Sequence, residues 1–240
     1  MQKKAVVILE GPWDLYRNDI NKSSVLPFFD GMAKSFNDVE ILHSRYYDKK
    51  SFDLALYALT SGNYKDVIVY ICAHGNGKDI GGKNIVDAII ECNLSSRDAN
   101  ISGVILGSCQ SAGTPKKSLI ESMKVLIEDS KIYWIAAYTC KSLWYESTLI
   151  DLSIISRMLQ ATPKKRESRT KIVEVLAEGI APFSPSFKIG SLGDDGDAKS
   201  ISIKHGIVYI AQPTGKGNRA LEVTETVWHE WAKLQCDNEV

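Results

Sequence analysis

Two uninterrupted apolar segments constrain the fold of this chain more than any other feature. Val67–Ala73 reads VIVYICA and Gly103–Gly107 reads GVILG, without a charged residue in either. Strands of this kind lie in the middle of a parallel sheet, where helices cover both faces. A similar run, Ala5–Leu9, precedes them, and Ile132–Tyr138 follows. The sequence therefore predicts a buried, mostly parallel sheet.

Segments with apolar residues at helical spacing lie between these strands. The predicted helices are Val25–Phe36, Phe52–Leu59 (with Ser51 as its N-cap), Asn84–Cys92, Lys116–Asp129 and Ser147–Leu159. A short strand is expected at Val39–His43. This alternation of strands and helices predicts an α/β fold, a three-layer sandwich with helices on both faces of the central sheet.

The pattern loosens after Gln160. Ile180–Ala198 is rich in Gly, Pro, Ser and Asp and predicts a long loop. Ser200–Lys204 and Ile207–Ala211 flank His205-Gly206 and predict a β-hairpin, and a last helix is expected over about Ala220–Leu234. We expect one domain over residues 1–240, in which residues 161–240 decorate a core formed by residues 1–160.

Composition excludes several classes of function. The chain has 29 basic and 29 acidic residues, so its net charge is zero and it has no global field that would gather nucleic acid or an anionic membrane. The longest apolar run has about nine residues, too few for a membrane span. The run Ala5–Leu9 is also too short for the core of a signal peptide.

Five cysteines indicate the compartment. Their number is odd and no two form a C-x-x-C pair, which favours free thiols in a reducing cytoplasm and gives no zinc-ligand spacing. They are Cys72, Cys92, Cys109, Cys140 and Cys236. We expect no metal and no organic cofactor.

Reactive side chains follow the two most apolar strands. His74 and Gly75 come directly after Val67–Ala73, and Cys109 comes two residues after Gly103–Gly107. In an open parallel sheet, ligands bind at the carboxyl ends of the strands, and neighbouring strands lie about 5 Å apart. A cysteine before a helix and beside an imidazole is a candidate nucleophile with a histidine acid–base. The N–H groups of Gly75 and Cys109 are candidate oxyanion donors.

The two blocks around these residues resemble the caspase-like cysteine peptidases, a group that includes caspases, metacaspases, separases and bacterial CHAT proteases. The blocks are VIVYICAHG (Val67–Gly75) and GVILGSCQSAG (Gly103–Gly113). The resemblance implies that His74 donates and accepts protons, that Cys109 is the nucleophile and that the Gly75 N–H belongs to the oxyanion hole. It implies a cysteine endopeptidase acting on protein or peptide substrates. Bacterial members of the group often serve in defence or regulated cell death.

A third block predicts the substrate cleft. WIAAYTCKSLW (Trp134–Trp144) resembles the strand and loop that line the cleft in caspases. By this resemblance Ser142, Leu143 and Trp144 are expected to pair with an extended substrate as an added strand. Cys140 is expected to be a pocket wall or a packing residue.

The charges around the cleft predict the substrate preference. Metacaspases carry an Asp at the position of Gly107, and caspases carry an Arg after the strand where this chain has Tyr145 and Glu146. Three acidic residues near the predicted cleft, against one Arg17, favour a basic residue on the acyl side of the cut bond. They are Glu10, Asp14 and Glu146.

The connector after the nucleophile's helix predicts how the enzyme is activated. Caspases are processed in this connector, but here only Ser130-Lys131 separates the predicted helix from the strand that starts at Ile132. We therefore expect a single-chain protease that needs no cleavage there.

Two other functions remain open on the sequence. Gly77–Lys83 reads GKDIGGK and fits the G-x-x-x-x-G-K phosphate loop between a strand and a helix, although Asn84 replaces the Ser or Thr that binds magnesium. The glycines also suit a flexible loop beside His74. The third possibility is an inactive caspase-like module that binds peptides.

Overall fold

The computed structural model describes residues 3–13, 23–113, 116–128, 130–193, 197–215 and 218–237. Asp14 and Arg17 of the predicted cleft lie outside these ranges, as do Thr114, Pro115 and Asp129. The strands are β1 (Lys4–Glu10), β2 (Val39–Arg45), β3 (Asp66–Cys72), β4 (Asp79–Ile80), β5 (Lys83–Asn84), β6 (Ile101–Gly107), β7 (Trp134–Tyr138), β8 (Lys141–Ser142), β9 (Lys188–Leu192), β10 (Lys199–Ser202), β11 (Ile207–Ala211) and β12 (Leu221–Glu222).

The helices alternate with the long strands. They are α1 (Leu26–Ala33), α2 (Lys49–Thr60), α3 (Ile85–Ala99), α4 (Lys116–Ile127), α5 (Trp144–Gln160), a 3-10 turn at Pro163–Arg166, α6 (Arg169–Ile180), α7 (Ile203–Gly206) and α8 (Thr224–Asp237). In the part of the chain that the structure describes, none of these helices is long and apolar enough to cross a membrane.

Seven strands form the central sheet, in the order β12-β11-β7-β6-β3-β1-β2. The five strands from β2 to β7 in that order run parallel, and only β11 and β12 pair antiparallel. The α/β class and the mostly parallel sheet are confirmed. Every residue of β3, β6 and β7 is buried, because helices cover both faces.

Alternate residues of each strand enter two separate hydrophobic cores. Val6 and Ile8 of β1 pack on one face, with residues of α1, α5, α6 and α8. Ala5 and Val7 pack on the other face, with residues of α2, α3 and α4. This division follows from the two-residue period of a strand.

Helix α2 begins earlier than the sequence predicts. Its N-cap is Asp48 rather than Ser51. The Asp48 carboxylate accepts a 2.7 Å hydrogen bond from Ser51 N, and the Ser51 hydroxyl accepts one of 3.0 Å from Asp48 N. This reciprocal capping box uses both side chains, and the sequence argument recognised only one of them.

The predicted hairpin around His205-Gly206 is wrong. β10 pairs with β9 in a three-stranded sheet with β8, whereas β11 pairs with β7 in the central sheet. A single helical turn, α7, carries the chain from one sheet to the other. A Cβ on Gly206 would lie 2.5 Å from Ile189 Cδ1, so the absence of a side chain lets this turn pack closely against β9.

The tail is also more regular than its composition suggests. Helix α6 lies in the region after Gln160 where the sequence pattern loosens, and Ser168 caps it by accepting a hydrogen bond from Lys171 N. Its residues Ile172, Val173 and Leu176 are buried in the same core as Val6 of β1. β9 lies inside the predicted loop. Packing against α5 and α8 therefore orders a segment whose local sequence looks irregular.

Candidate active site

Three neighbouring strands end in register at one edge of the central sheet. Glu10 of β1 pairs with Cys72 of β3, and Cys72 pairs with Gly107 of β6. His74 and Cys109 each lie two residues beyond this row. Because parallel neighbours are about 5 Å apart, the register brings the histidine and the cysteine to the same end of adjacent strands.

The two strand ends are in direct contact. The Ser108 hydroxyl donates a 2.7 Å hydrogen bond to the carbonyl oxygen of Ala73. A Cβ on Gly75 would lie 2.5 Å from the Cys109 carbonyl oxygen and 2.3 Å from Ser108 Oγ. Only glycine permits the backbone after β3 to approach the backbone after β6 this closely.

A tight turn holds the backbone on the other side of Cys109. Gln110 adopts the left-handed conformation with φ of 53°, and its N–H donates a 2.8 Å hydrogen bond to Cys140 O. Ser111 donates from its hydroxyl to Leu106 O at 2.6 Å and accepts from Tyr138 N at 2.9 Å. The cysteine is therefore held by both neighbouring strands, β3 and β7.

Cys109 is partly exposed, and its sulfur faces β8. Its Sγ lies 3.7 Å from the carbonyl oxygen of Ser142 and 3.8 Å from Ser142 Oγ. Among the strands that the structure describes, β8 is at the edge of its small sheet and pairs with β9 alone. The Leu143 N–H donates a 2.7 Å hydrogen bond to Ile189 O. Along an antiparallel pair of strands, residues that bond to the partner strand alternate with residues that do not. The N–H and C=O of Ser142, the residue before Leu143, therefore point away from β9.

His74 is exposed at the end of β3. Its ring packs edge-on against the indole of Trp13, with 5.8 Å between ring centroids. Its carbonyl oxygen accepts from Gly81 N at 2.9 Å, and Asn76 N donates to Asp79 O. These two bonds form the antiparallel bridge between Gly75 and Ile80, and the N–H of Gly75 takes no part in it.

Glu10 has a different role from the one its sequence position suggests. Its side chain is fully buried and each carboxylate oxygen accepts two hydrogen bonds. The donors are Trp13 Nε1 (2.8 Å), Ser24 Oγ (2.7 Å), Val25 N (2.9 Å) and His43 Nε2 (2.8 Å). Burial acts to raise the pKa of Glu10, but these hydrogen bonds outweigh it and the net pKa is lowered. A carboxylate with all its lone pairs engaged has none left for a basic substrate, so Glu10 is a structural anchor.

The predicted substrate strand is shorter than expected. Of its three predicted residues, only Ser142 belongs to β8, whereas Leu143 is the N-cap of α5 and Trp144 is the first residue of that helix. Leu143 remains 47% exposed beside the site. Glu146 is partly buried in the first turn of α5, where a negative charge interacts favourably with the helix dipole.

Two further cysteines lie near the site but are buried. Cys72 is fully buried at the end of β3, and burial raises the pKa of its thiol well above the usual value. Burial, with the nearby Cys109 as a smaller cause, raises the pKa of Cys140 to about 12. Cys140 packs in the core, as expected of a wall or packing residue.

The geometry of Gly77–Lys83 does not suit a phosphate loop. β4 and β5 form a hairpin whose turn residues, Gly81 and Gly82, have φ of 54° and 83°. The Lys83 side chain is fully buried, with its ammonium 2.5 Å from Asp53 and over the Phe52 ring. Asn84 caps α3 with its own side chain. Neither the lysine nor the helix N-terminus is available to a phosphate.

Three residues that shape the site were not predicted from the sequence. Ser108 and Ser111 are buried and bond to backbone carbonyls, and Gln110 forms the left-handed turn. Their position in the sequence could have identified them, because polar residues that directly follow a buried strand need hydrogen-bond partners. Within the described ranges, no group of three His, Cys, Asp or Glu residues is placed to hold a metal ion.

No protein-family model matches this chain, and no curated protein matches it. The resemblance to caspase-like peptidases therefore depends on the three sequence blocks alone, Val67–Gly75, Gly103–Gly113 and Trp134–Trp144.

Proposed function

We propose that this chain is a caspase-like cysteine endopeptidase that uses Cys109 and His74. The contact between the two strand ends carries the proposal: Gly75 packs on the Cys109 backbone, and Ser108 bonds to Ala73. The contact joins the ends of adjacent strands that carry Cys109, which is partly exposed, and His74, which is exposed. A cysteine and a histidine so placed are the components of nucleophilic acyl transfer.

In the proposed reaction, Cys109 is the nucleophile and His74 transfers the protons. The Cys109 thiolate attacks the carbonyl carbon of the scissile peptide, and the N–H groups of Gly75 and Cys109 stabilise the resulting oxyanion. His74 gives its proton to the leaving amine as the C–N bond breaks, which leaves a thioester on Cys109. His74 then removes a proton from water, and the hydroxide attacks the thioester carbonyl. The C–S bond breaks, which releases the acid and restores the Cys109 thiolate beside a protonated His74.

The edge of β8 that faces away from β9 is the proposed docking site for the substrate main chain. The N–H and C=O of Ser142 point away from β9, and the carbonyl lies beside Cys109 Sγ. An extended peptide that adds to this edge would place its own carbonyl next to the sulfur. Because β8 ends at Ser142, the added strand is short, and side-chain contacts must supply much of the selectivity.

The proposed enzyme acts in the cytoplasm on protein substrates. Its cysteines favour a reducing compartment, and its zero net charge gives no general attraction to nucleic acid or membranes. A role in bacterial defence or regulated cell death is the corresponding proposal for its biology.

Peptide cleavage by single-residue variants tests the proposal. Cys109→Ala and His74→Ala should each abolish cleavage of a peptide library while circular dichroism and the denaturation midpoint stay near wild type. Cys236→Ala and His205→Ala are the matched controls, since both residues are exposed and lie outside the site. Near-normal cleavage by either site variant would refute the assignment.

A further inference from the structure

A continuous series of aromatic rings extends from the imidazole of His74. Trp13 packs against His74 (5.8 Å between centroids) and against Trp144 (6.2 Å). Phe28 then contacts Trp144 at 5.7 Å and Tyr145 at 6.0 Å. We call Trp13, Trp144, Phe28 and Tyr145 the aromatic row. All four contacts are edge-to-face, the arrangement that aromatic quadrupoles favour.

The aromatic row lies on the same side of the site as the proposed docking edge. Trp144 is two residues after Ser142, whose carbonyl contacts Cys109 Sγ, and Trp13 contacts His74. A peptide that adds to β8 therefore brings its side chains to the aromatic row. Tyr145 is 52% exposed, and Trp13, Phe28 and Trp144 are only partly buried, so the row presents apolar area to such a side chain.

The first ring of the row is fixed before any ligand arrives. Trp13 Nε1 donates to the buried Glu10 carboxylate, which is itself held by His43 and by the backbone at the start of α1. This hydrogen bond orients the indole of Trp13. It also occupies the carboxylate of Glu10, which the sequence had suggested would bind a basic substrate residue. A rigid aromatic side chain loses little conformational entropy on binding.

From these contacts we infer that the site selects a large apolar or aromatic side chain next to the scissile bond, read by the aromatic row. This inference rests on the proposed peptidase site and replaces the basic preference expected from the charges. Trp13 and Trp144 form the part of the subsite closest to His74, and Phe28 with Tyr145 form its outer part.

Binding without turnover separates this inference from the catalytic proposal. The full chain carrying Cys109→Ala is titrated by calorimetry with hexapeptide pools in which one position is fixed as Phe, Leu, Lys or Asp. We expect the Phe and Leu pools to bind about tenfold more tightly than the Lys and Asp pools, a difference of about 1.4 kcal/mol. In the same background, Tyr145→Ala should weaken binding of the Phe pool about threefold and Trp13→Ala about tenfold.

Two controls define the outcomes. Tyr57→Ala removes an exposed tyrosine (75%) on α2 and should leave binding unchanged. Glu146→Gln should also leave the Phe preference intact. Tightest binding of the Lys pool, lost in Glu146→Gln, would overturn the inference, as would equal binding or no binding of all pools. Apolar-selective binding by a chain that cleaves nothing would support the aromatic row as an apolar peptide subsite and refute the peptidase. Cleavage without apolar selectivity would support the peptidase and refute the role of the aromatic row.

Discussion

The hydroxyl of Ser108 donates a 2.7 Å hydrogen bond to the carbonyl oxygen of Ala73, and so joins the residue before Cys109 to the residue before His74. Both residues are buried, so the bond is shielded from water. The bond fixes how the ends of β3 and β6 are aligned with each other. It therefore helps to set the distance between Cys109, the proposed nucleophile, and His74, the proposed proton-transfer residue.

Gly75→Ala should distort the contact between the strand ends. The new Cβ would lie 2.5 Å from the Cys109 carbonyl oxygen, a backbone atom that cannot move away freely. We expect a loss of about 1–3 kcal/mol in the free energy of unfolding, measured with urea, and at least a tenfold loss of peptide cleavage. Gly31→Ala is the matched control. Nothing lies within 4 Å of its Cβ, and alanine favours the helix, so stability should be unchanged or higher. Equal behaviour of the two variants would contradict the close approach.

Glu10→Ala should destabilise the chain by about 3 kcal/mol or more, because it leaves four hydrogen-bond donors without their acceptor.

The lowered pKa of Glu10 gives the sign of the pH dependence. The stabilisation from the carboxylate is present above the usual pKa of 4.5 and is lost as pH falls through the lowered value. Urea unfolding at pH 7 and at acidic pH measures both effects, with the exposed Glu225→Ala as the control. A Glu10→Ala variant as stable as Glu225→Ala would rule out the anchoring role.

Asp151→Asn should make the chain more stable above pH 7. Asp151 is buried in α5 and accepts a 2.8 Å hydrogen bond from Tyr138 OH, and burial raises the pKa of its carboxyl to about 7. The folded state therefore favours the neutral acid. The stability that this preference contributes is complete below about pH 4 and is lost as pH rises toward 7.

The difference between wild type and Asp151→Asn measures that loss. From pH 5 to pH 8, we expect the wild-type free energy of unfolding to fall relative to the variant by a few kcal/mol, at most about 4. The exposed Asp30→Asn should show no such pH-dependent difference. Parallel pH profiles for wild type and Asp151→Asn would show that this carboxyl is not the titrating group.

The intact chain should be active without cleavage between α4 and β7. Tyr133 N bonds to Ser102 O at 2.8 Å, and the Lys131 ammonium bonds to Arg97 O at 2.8 Å, so this connector is held against the end of α3 and the start of β6. A thiol-reactive peptide probe should label full-length protein on a denaturing gel. Labelling that appears only on fragments cut between Lys116 and Ile132 would show that processing is required.

The sequence alone determined the central sheet and the position of the candidate site. Val67–Ala73 and Gly103–Gly107 are so uniformly apolar that only a strand covered on both faces suits them, and the residues after such strands must meet at one edge of a parallel sheet. Tertiary structure decided what local pattern does not encode. In the folded chain the Glu10 carboxylate is buried and bonded to His43, and the Lys83 ammonium forms an ion pair with Asp53. The two strands that flank His205 belong to different sheets. Each of these outcomes depends on partners distant in sequence, because hydrogen bonding and packing across the fold outweigh the weak preferences of short segments.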